Sequence, residues 1–445
     1  MRKMKNIRRR FIGMMLAASM MASLAGCGDK NNQNVTTGEA VEGSMTYECK
    51  SVSLTDEVKA ENVDGKEADD EFKSAAADFS INLFRESVSE DSKAGENVLV
   101  SPASVMSALG MTANGAGGDT LADMEQVLTG GIGIDDFNKY MYSYNNRMES
   151  AENVSFKNAN SIWIRDDGER IQVKDAFLQT DKNYYDADAY MAAFDDSTVK
   201  DINLWADENT DGMINEIISA IPEEAVICLI NAIAFEGEWE TPYEDYQVEE
   251  NGMFTNYEGI EETAAMLNGE ENIYIQDDKA TGFIKPYKGG EYGFMAILPN
   301  EGITVEEYIS GMSGDDFLAL YENLSYEKVK VMMPEFSYDY DIEMKDALSE
   351  MGMESIFQEN ADFSNMAETD TGYLYVGKVL HKTYIQVDRY GTKAAATTTV
   401  IGVDSCALLE EPKAVALDRP FIYSIIDMET GLPVFIGVTN SVVKN

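Results

Sequence analysis

A hydrolase of the Ser-His-acid or Cys-His kind needs an imidazole, or a substitute base, beside its nucleophile. This chain of 445 residues has one histidine, His381, inside the alternating apolar run 379–387. Alternation with period two reads as a strand, and a lone histidine on such a strand is expected to be structural. No Gly-x-Ser-x-Gly elbow is present. The four cysteines, Cys27, Cys49, Cys228 and Cys406, match no zinc spacing, and Cys228 lies in the apolar run 226–230 as a core thiol. The glycine-rich turn 115–120 has no lysine and carries Asp119, which argues against a phosphate loop. With 80 acidic residues, close carboxylate pairs arise by chance and carry no signal for glycoside chemistry. These residues predict no catalytic group, no metal and no cofactor.

The stretch 387–403 is of another kind. Its even positions from 392 to 402 are Thr, Ala, Ala, Thr, Val and Gly, with Lys393 the one charge, on the odd face. A strand alternates its faces, so this segment could lay a small, uncharged face on a core. It also has weak drive to form structure alone. The reading is a strand with two homes, an exposed loop or a place inside a sheet. Gly391-Thr392 followed by Ala394-Ala395-Ala396-Thr397 resembles the hinge of the reactive-centre loop of inhibitory serpins. Downstream, Val415-Ala416-Leu417-Asp418-Arg419-Pro420-Phe421-Ile422-Tyr423 resembles the serpin signature at every position.

That resemblance implies an α+β serpin fold over residues 67–445. It would have a large central mixed sheet, further sheets, eight or nine helices and an exposed reactive-centre loop at about 391–412. It implies bait and trap in place of a catalytic residue. A target serine protease, or a cysteine protease, cuts the loop, and the freed strand inserts antiparallel into the main sheet with the protease held as an acyl ester. By the same resemblance Ser101, Ser104, Asn231 and His381 belong to the shutter under the opening sheet. Trp239 belongs to the breach, where the hinge first enters. Candidate positions for the cut run through Val403, Asp404, Ser405, Cys406, Ala407, Leu408 and Leu409. Counting from Gly391 places the cut after Ser405, and counting back from the signature places it near Leu409. No Lys or Arg lies between 394 and 412, so elastase- or subtilisin-like targets are expected. The chain departs from the family before the hinge glycine, where Arg389 and Tyr390 stand in place of the usual acids, and at Thr397, often alanine. The alternative reading is a non-inhibitory serpin-fold surface lipoprotein whose loop is cut without trapping. A monomer is expected, and loop-sheet polymers are a further outcome of a sheet that accepts strands.

The elements around these motifs follow from the rest of the chain. Residues 1–26 are a basic segment and a short apolar run ending in Leu24-Ala25-Gly26-Cys27, which reads as a signal peptide with a lipidation site at Cys27. A lipid there would place the protein in a bacterial cell envelope, facing outside the cytoplasm. Residues 27–66 are polar and read as a flexible tether. The net charge is −46, and the six bases of 1–26 leave −52 on the remainder, a surface that repels anionic lipid headgroups and nucleic acid, so no nucleic-acid partner is expected. Phe72, Ala76, Phe79, Leu83 and Phe84 recur at helical spacing, and Ser101-Pro102 reads as a helix entrance. Residues 202–206 and 210–214 read as a helix that breaks and restarts. Residues 225–235 read as a strand of a sheet interior, interrupted by Asn231, which must find partners there. Residues 344–357 read as a helix ending near 351–353.

Overall fold

The apolar run 225–235 becomes the spine of the molecule. Its strand is buried along almost its whole length, which only a central strand covered on both faces allows. The computed structural model describes residues 49–90, 95–168, 170–370, 373–392 and 412–443. Seven strands form the large sheet: β1 (Val52–Ser53), β2 (Val154–Arg165), β3 (Asp188–Ala192), β4 (Ile227–Glu238), β5 (Phe336–Glu343), β6 (Val376–Val387) and β7 (Gly391–Thr392). Their spatial order is β1-β3-β2-β4-β7-β6-β5, with β4 and β6 also paired directly. The sheet is mixed: β2 runs antiparallel to β4, while β4 and β6 run parallel.

A six-stranded sheet, a four-stranded sheet, a two-stranded sheet and nine helices complete the described residues. The main core joins the large sheet to the six-stranded one. Phe336 and Tyr338 of β5 pack against Phe421 and Tyr423, and the two tyrosine hydroxyls lie 2.6 Å apart. A second, smaller core holds Trp163, Ile202, Trp205, Ile217, Ile230 and Leu380.

Three helices correspond to patterns in the sequence. Helix α1 (Asp70–Glu90) buries the five apolar residues that define its face. Helix α2 (Pro102–Gly115) starts on Ser101, whose hydroxyl accepts from the Ser104 amide, with Pro102 in the first turn where its missing N–H costs nothing. Helix α3 (Asp196–Asn209) is capped by the Asp195 carboxylate and contributes Ile202 and Trp205 to the smaller core.

Three local expectations are corrected. The helix expected to restart at 210–214 does not. Asp211 and Gly212 adopt left-handed backbone (φ 51° and 78°), and the Thr210 hydroxyl accepts from the Ile214 amide at 2.9 Å, replacing helical bonding. The tether expected to reach residue 66 is folded from Cys49 onward: β1 pairs with β3, and Asp201 of α3 accepts from the amides of Lys50 and Ser51. These are polar attachments, which leave no apolar periodicity to read. The helix expected over 344–357 is a short α-turn (Lys345–Leu348), a wider turn around Gly352 (φ 111°) and a 3₁₀ segment.

Candidate functional site

Strands β4 and β6 form a parallel seam from the Val376–Ile227 pair to the Tyr384–Ala234 pair. Above it they part, and β7 fills the gap. Gly391 pairs with Glu238 and Thr392 with Gly237, antiparallel to β4, while Thr392 pairs with Val387 of β6. The first two residues of the stretch expected as an exposed loop are thus already inside the sheet. Thr392 is 1% exposed, and its hydroxyl lies 2.6 Å from that of Tyr287. The other hinge residues, Ala394, Ala395, Ala396 and Thr397, lie outside the described residues, as do Val403 to Leu409 and Cys27.

The turn between β6 and β7 is built from Asp388 to Gly391. The Asp388 carboxylate accepts from the amides of Tyr390 at 2.7 Å and Gly391 at 3.2 Å, and the Asp388 amide donates to the Gly391 carbonyl. An aspartate closing a turn on its own backbone is a local preference of that side chain. Trp239, just past β4, binds the turn twice: its indole N–H donates to the Asp388 carbonyl at 2.9 Å and its amide to the Tyr390 carbonyl at 2.9 Å. Its ring stacks on Tyr287 at 4.7 Å. Lys285, 3% exposed, lies over the Tyr243 ring at 4.4 Å and donates to Glu271 at 2.6 Å and to the Thr241 carbonyl at 2.9 Å. Burial pushes the Glu271 carboxyl up while Lys285 pulls it down.

Lower down, His381 and Asn231 face one another directly across the parallel seam. The Ser101 amide donates to His381 Nε2 at 3.0 Å. Nε2 is therefore the unprotonated nitrogen, and Nδ1 carries the proton that it donates to Asn231 Oδ1. Asn231 Nδ2 in turn donates to Ser104 Oγ and to Asn160 Oδ1, Ser104 Oγ donates to Asn158 Oδ1, and Ser101 Oγ donates to the Val434 carbonyl at 2.7 Å. The structure thus joins Ser101, Ser104, Asn231 and His381 in one buried network that ties α2 and β2 to both sides of the seam. Trp239 stands apart from it, at the top with the hinge.

The network cannot run hydrolysis. Its imidazole is 1% exposed, its only free lone pair accepts a backbone N–H, and burial lowers its pKa to about 3. What the arrangement can do is mechanical: the seam is latched by side chains at mid-height and wedged by two hinge residues at its top.

Sequence reasoning missed Tyr287, Asp388, Asn158 and Asn160. The two asparagines carried a usable signal, since they sit two apart and face the same way on β2. Nothing local in the sequence pairs Tyr287 with Thr392.

The serpin family model, described as serpin (serine protease inhibitor), matches residues 74–442. A serpin-like protein of Thermococcus kodakarensis is 29% identical over 371 residues, covering 81% of this chain and 83% of its own. Neuroserpin of Homo sapiens is 26% identical over 387 residues, covering 82% of this chain and 90% of its own. Among solved structures, the native state of the thermophilic serpin tengpin superposes with a TM-score of 0.83 at 44% identity, covering 88% of this chain and 99% of tengpin. The latent state of tengpin gives 0.74 at 42% identity, covering 85% and 100%. The chain belongs to the serpin family, whose members are generally inhibitors of serine proteases rather than enzymes.

Proposed function

We propose that this serpin is a suicide-substrate inhibitor that traps a serine protease, or a cysteine protease, by inserting its cleaved loop between β4 and β6. Strand addition of this kind is the established mode of the family. The observation that carries the reading is the register of β7. Extended one rung at a time from Gly391–Glu238 and Thr392–Val387, that register would set an inserted Ala394 between Phe235 and Ile385, Ala396 between Ile233 and Thr383, and Thr398 between Asn231 and His381. All six partners are buried. Only small, uncharged side chains can enter such a face, and those are the residues at 394, 396 and 398.

The chemistry belongs to the protease. Its nucleophile attacks a carbonyl between Val403 and Leu409; the peptide C–N bond breaks, an ester or thioester forms, and the new amine leaves with the proton. The strand from Thr392 then zips downward. A dozen residues at about 3.3 Å each carry the acyl-linked protease roughly 40 Å from its starting position. Arrival at Thr398 replaces the His381–Asn231 contact across the seam. Small and aliphatic residues at the cut suggest an elastase- or subtilisin-like target. The Leu24-Ala25-Gly26-Cys27 motif supports lipid attachment at Cys27 and a place on the outside of a bacterial cell envelope.

Incubation with pancreatic elastase and with subtilisin tests the reading. The expected product is a complex that survives boiling in detergent, with one short C-terminal peptide released and its mass locating the cut. Clean cleavage with no complex, by every serine and cysteine protease that cuts the loop, would instead identify a non-inhibitory binding lipoprotein. Metabolic labelling with a palmitate analogue, lost in Cys27→Ala, tests the anchor.

A further inference from the structure

Inhibitory serpins usually carry acids just before the hinge glycine, and this chain has Arg389 there. Its surroundings account for the change. Arg389 Nε donates to Glu335 Oε1 at 3.1 Å, and the Arg389 amide donates to the same oxygen at 3.1 Å. Its guanidinium also reaches Glu250 at 3.3 Å and Asp245 at 3.6 Å. On the other side, the carbonyls of Asp388, Arg389 and Tyr390 accept from Trp239 Nε1, the Tyr243 amide and the Trp239 amide. The turn is stitched between two walls. One is the chain leaving β4; the other is Glu335, at the entrance to β5.

We infer that Arg389 is a positioning residue for strand insertion: its clamp on Glu335 holds the Asp388–Gly391 turn, so that the first rungs of the inserting strand exist before the loop is cut. The inference rests on the inhibitor reading above. Closing a first turn is the costly step of ordering a strand, because backbone freedom is lost before ladder bonds accumulate. A turn made in advance leaves only extension to compete with hydrolysis of the acyl ester. Glu335 is the effective partner, since it is largely covered. Glu250 and Asp245 stand mostly in water and add little individually, because solvent screens exposed pairs. An acid at 389 would face all three carboxylates, so here the base is the residue that fits.

The test compares wild type, Arg389→Ala, Arg389→Lys and Glu335→Gln. Two quantities are read: deuterium exchange at the Thr392 amide in the uncut protein, and moles of serpin consumed per mole of elastase or subtilisin trapped. Loss of a charge-assisted bond of this kind corresponds to roughly tenfold in an equilibrium. Arg389→Ala should therefore exchange about tenfold faster at Thr392 and consume several-fold more serpin per protease trapped, with cleavage of the loop by excess protease as the internal reference. Arg389→Lys, which keeps the charge, should fall between. Unchanged exchange, or faster exchange with unchanged partition, overturns the inference while leaving the inhibitor reading intact. A wild-type protein that traps neither these nor other proteases overturns the inhibitor reading and this inference with it.

Discussion

Thr392 leaves no room for a longer side chain. It is enclosed by β4, β6 and Tyr287, and among the described residues its hydroxyl is the one hydrogen-bond partner of that buried phenol. Thr392→Val keeps the shape and orphans the phenol, at a cost of about 1–3 kcal/mol. Thr392→Arg would bury an unpaired charge, which costs several kcal/mol, so the hinge should leave the sheet. The expected outcome on a denaturing gel is that Thr392→Arg is cleaved without forming the trapped complex, while Thr392→Val still traps part of the protease. His381 allows a second measurement, because it is the only histidine and its ring nitrogens are resolved without assignment. Burial depresses its pKa to about 3. The unfolded chain takes up that proton below about 6.5 and the folded chain refuses it until about 3. Stability is therefore full above this window and falls as pH drops through it, by up to about 1.4 kcal/mol per unit. Nitrogen NMR should show one Nδ1–H tautomer, unchanged from pH 8 to pH 5. A ring that titrates near 6.5 would contradict the network.

At the scale of elements, the legible parts of the sequence were those with a period or a motif. The β4 run, the face of α1 and the Ser101-Pro102 entrance stand in the structure as their patterns imply, and the serpin resemblance groups Ser101, Ser104, Asn231 and His381, which hydrogen bonds join in one network. The illegible parts have no sustained period and are fastened by individual polar groups of other elements together with a few apolar side chains. Segment 49–66 is one case, fastened by Asp201, Asn183 and the Lys139 carbonyl. Segment 210–226 is another. It crosses beside the small core with Ile214, Ile217 and Ile218 facing inward, and it is tied to α3 by Asn203. That amide accepts from the Ile217 and Ile218 N–H groups at 2.8 and 3.0 Å and donates to the Ile218 carbonyl at 2.8 Å. One side chain thus satisfies three backbone groups that no helix or sheet provides for. Asn203→Ala should cost about 1–3 kcal/mol. Hydrogen exchange should rise across 214–219 with α3 itself still protected. Uniform loosening of α3 and the segment together would mean that Asn203 is not the tie.

For the whole molecule, the decisive quantity is the energy of the cut form against the uncut one. Each residue entering between β4 and β6 gains ladder bonds worth about 0.5–1.5 kcal/mol apiece, and loses backbone freedom worth about 1–2 kcal/mol. These terms nearly cancel, so hydrogen bonding alone does not make insertion downhill. On the inhibitor reading proposed above, the balance is tipped by the buried face, where Ala394, Ala396, Thr398 and Val400 would pack against partners such as Ile233, Phe235 and Ile385. Two measurements follow from that argument. The nicked wild-type protein should melt at a higher temperature than the intact one, and nicked Ala396→Glu should lose that gain, because a carboxylate opposite Ile233 has no partner for its charge. If the nicked wild type melts no higher than the intact protein, the space between β4 and β6 is not a lower-energy home for the strand, and trapping has no driving force. If nicked Ala396→Glu keeps the full gain, the strand has inserted in another register than the one set by Gly391 and Thr392.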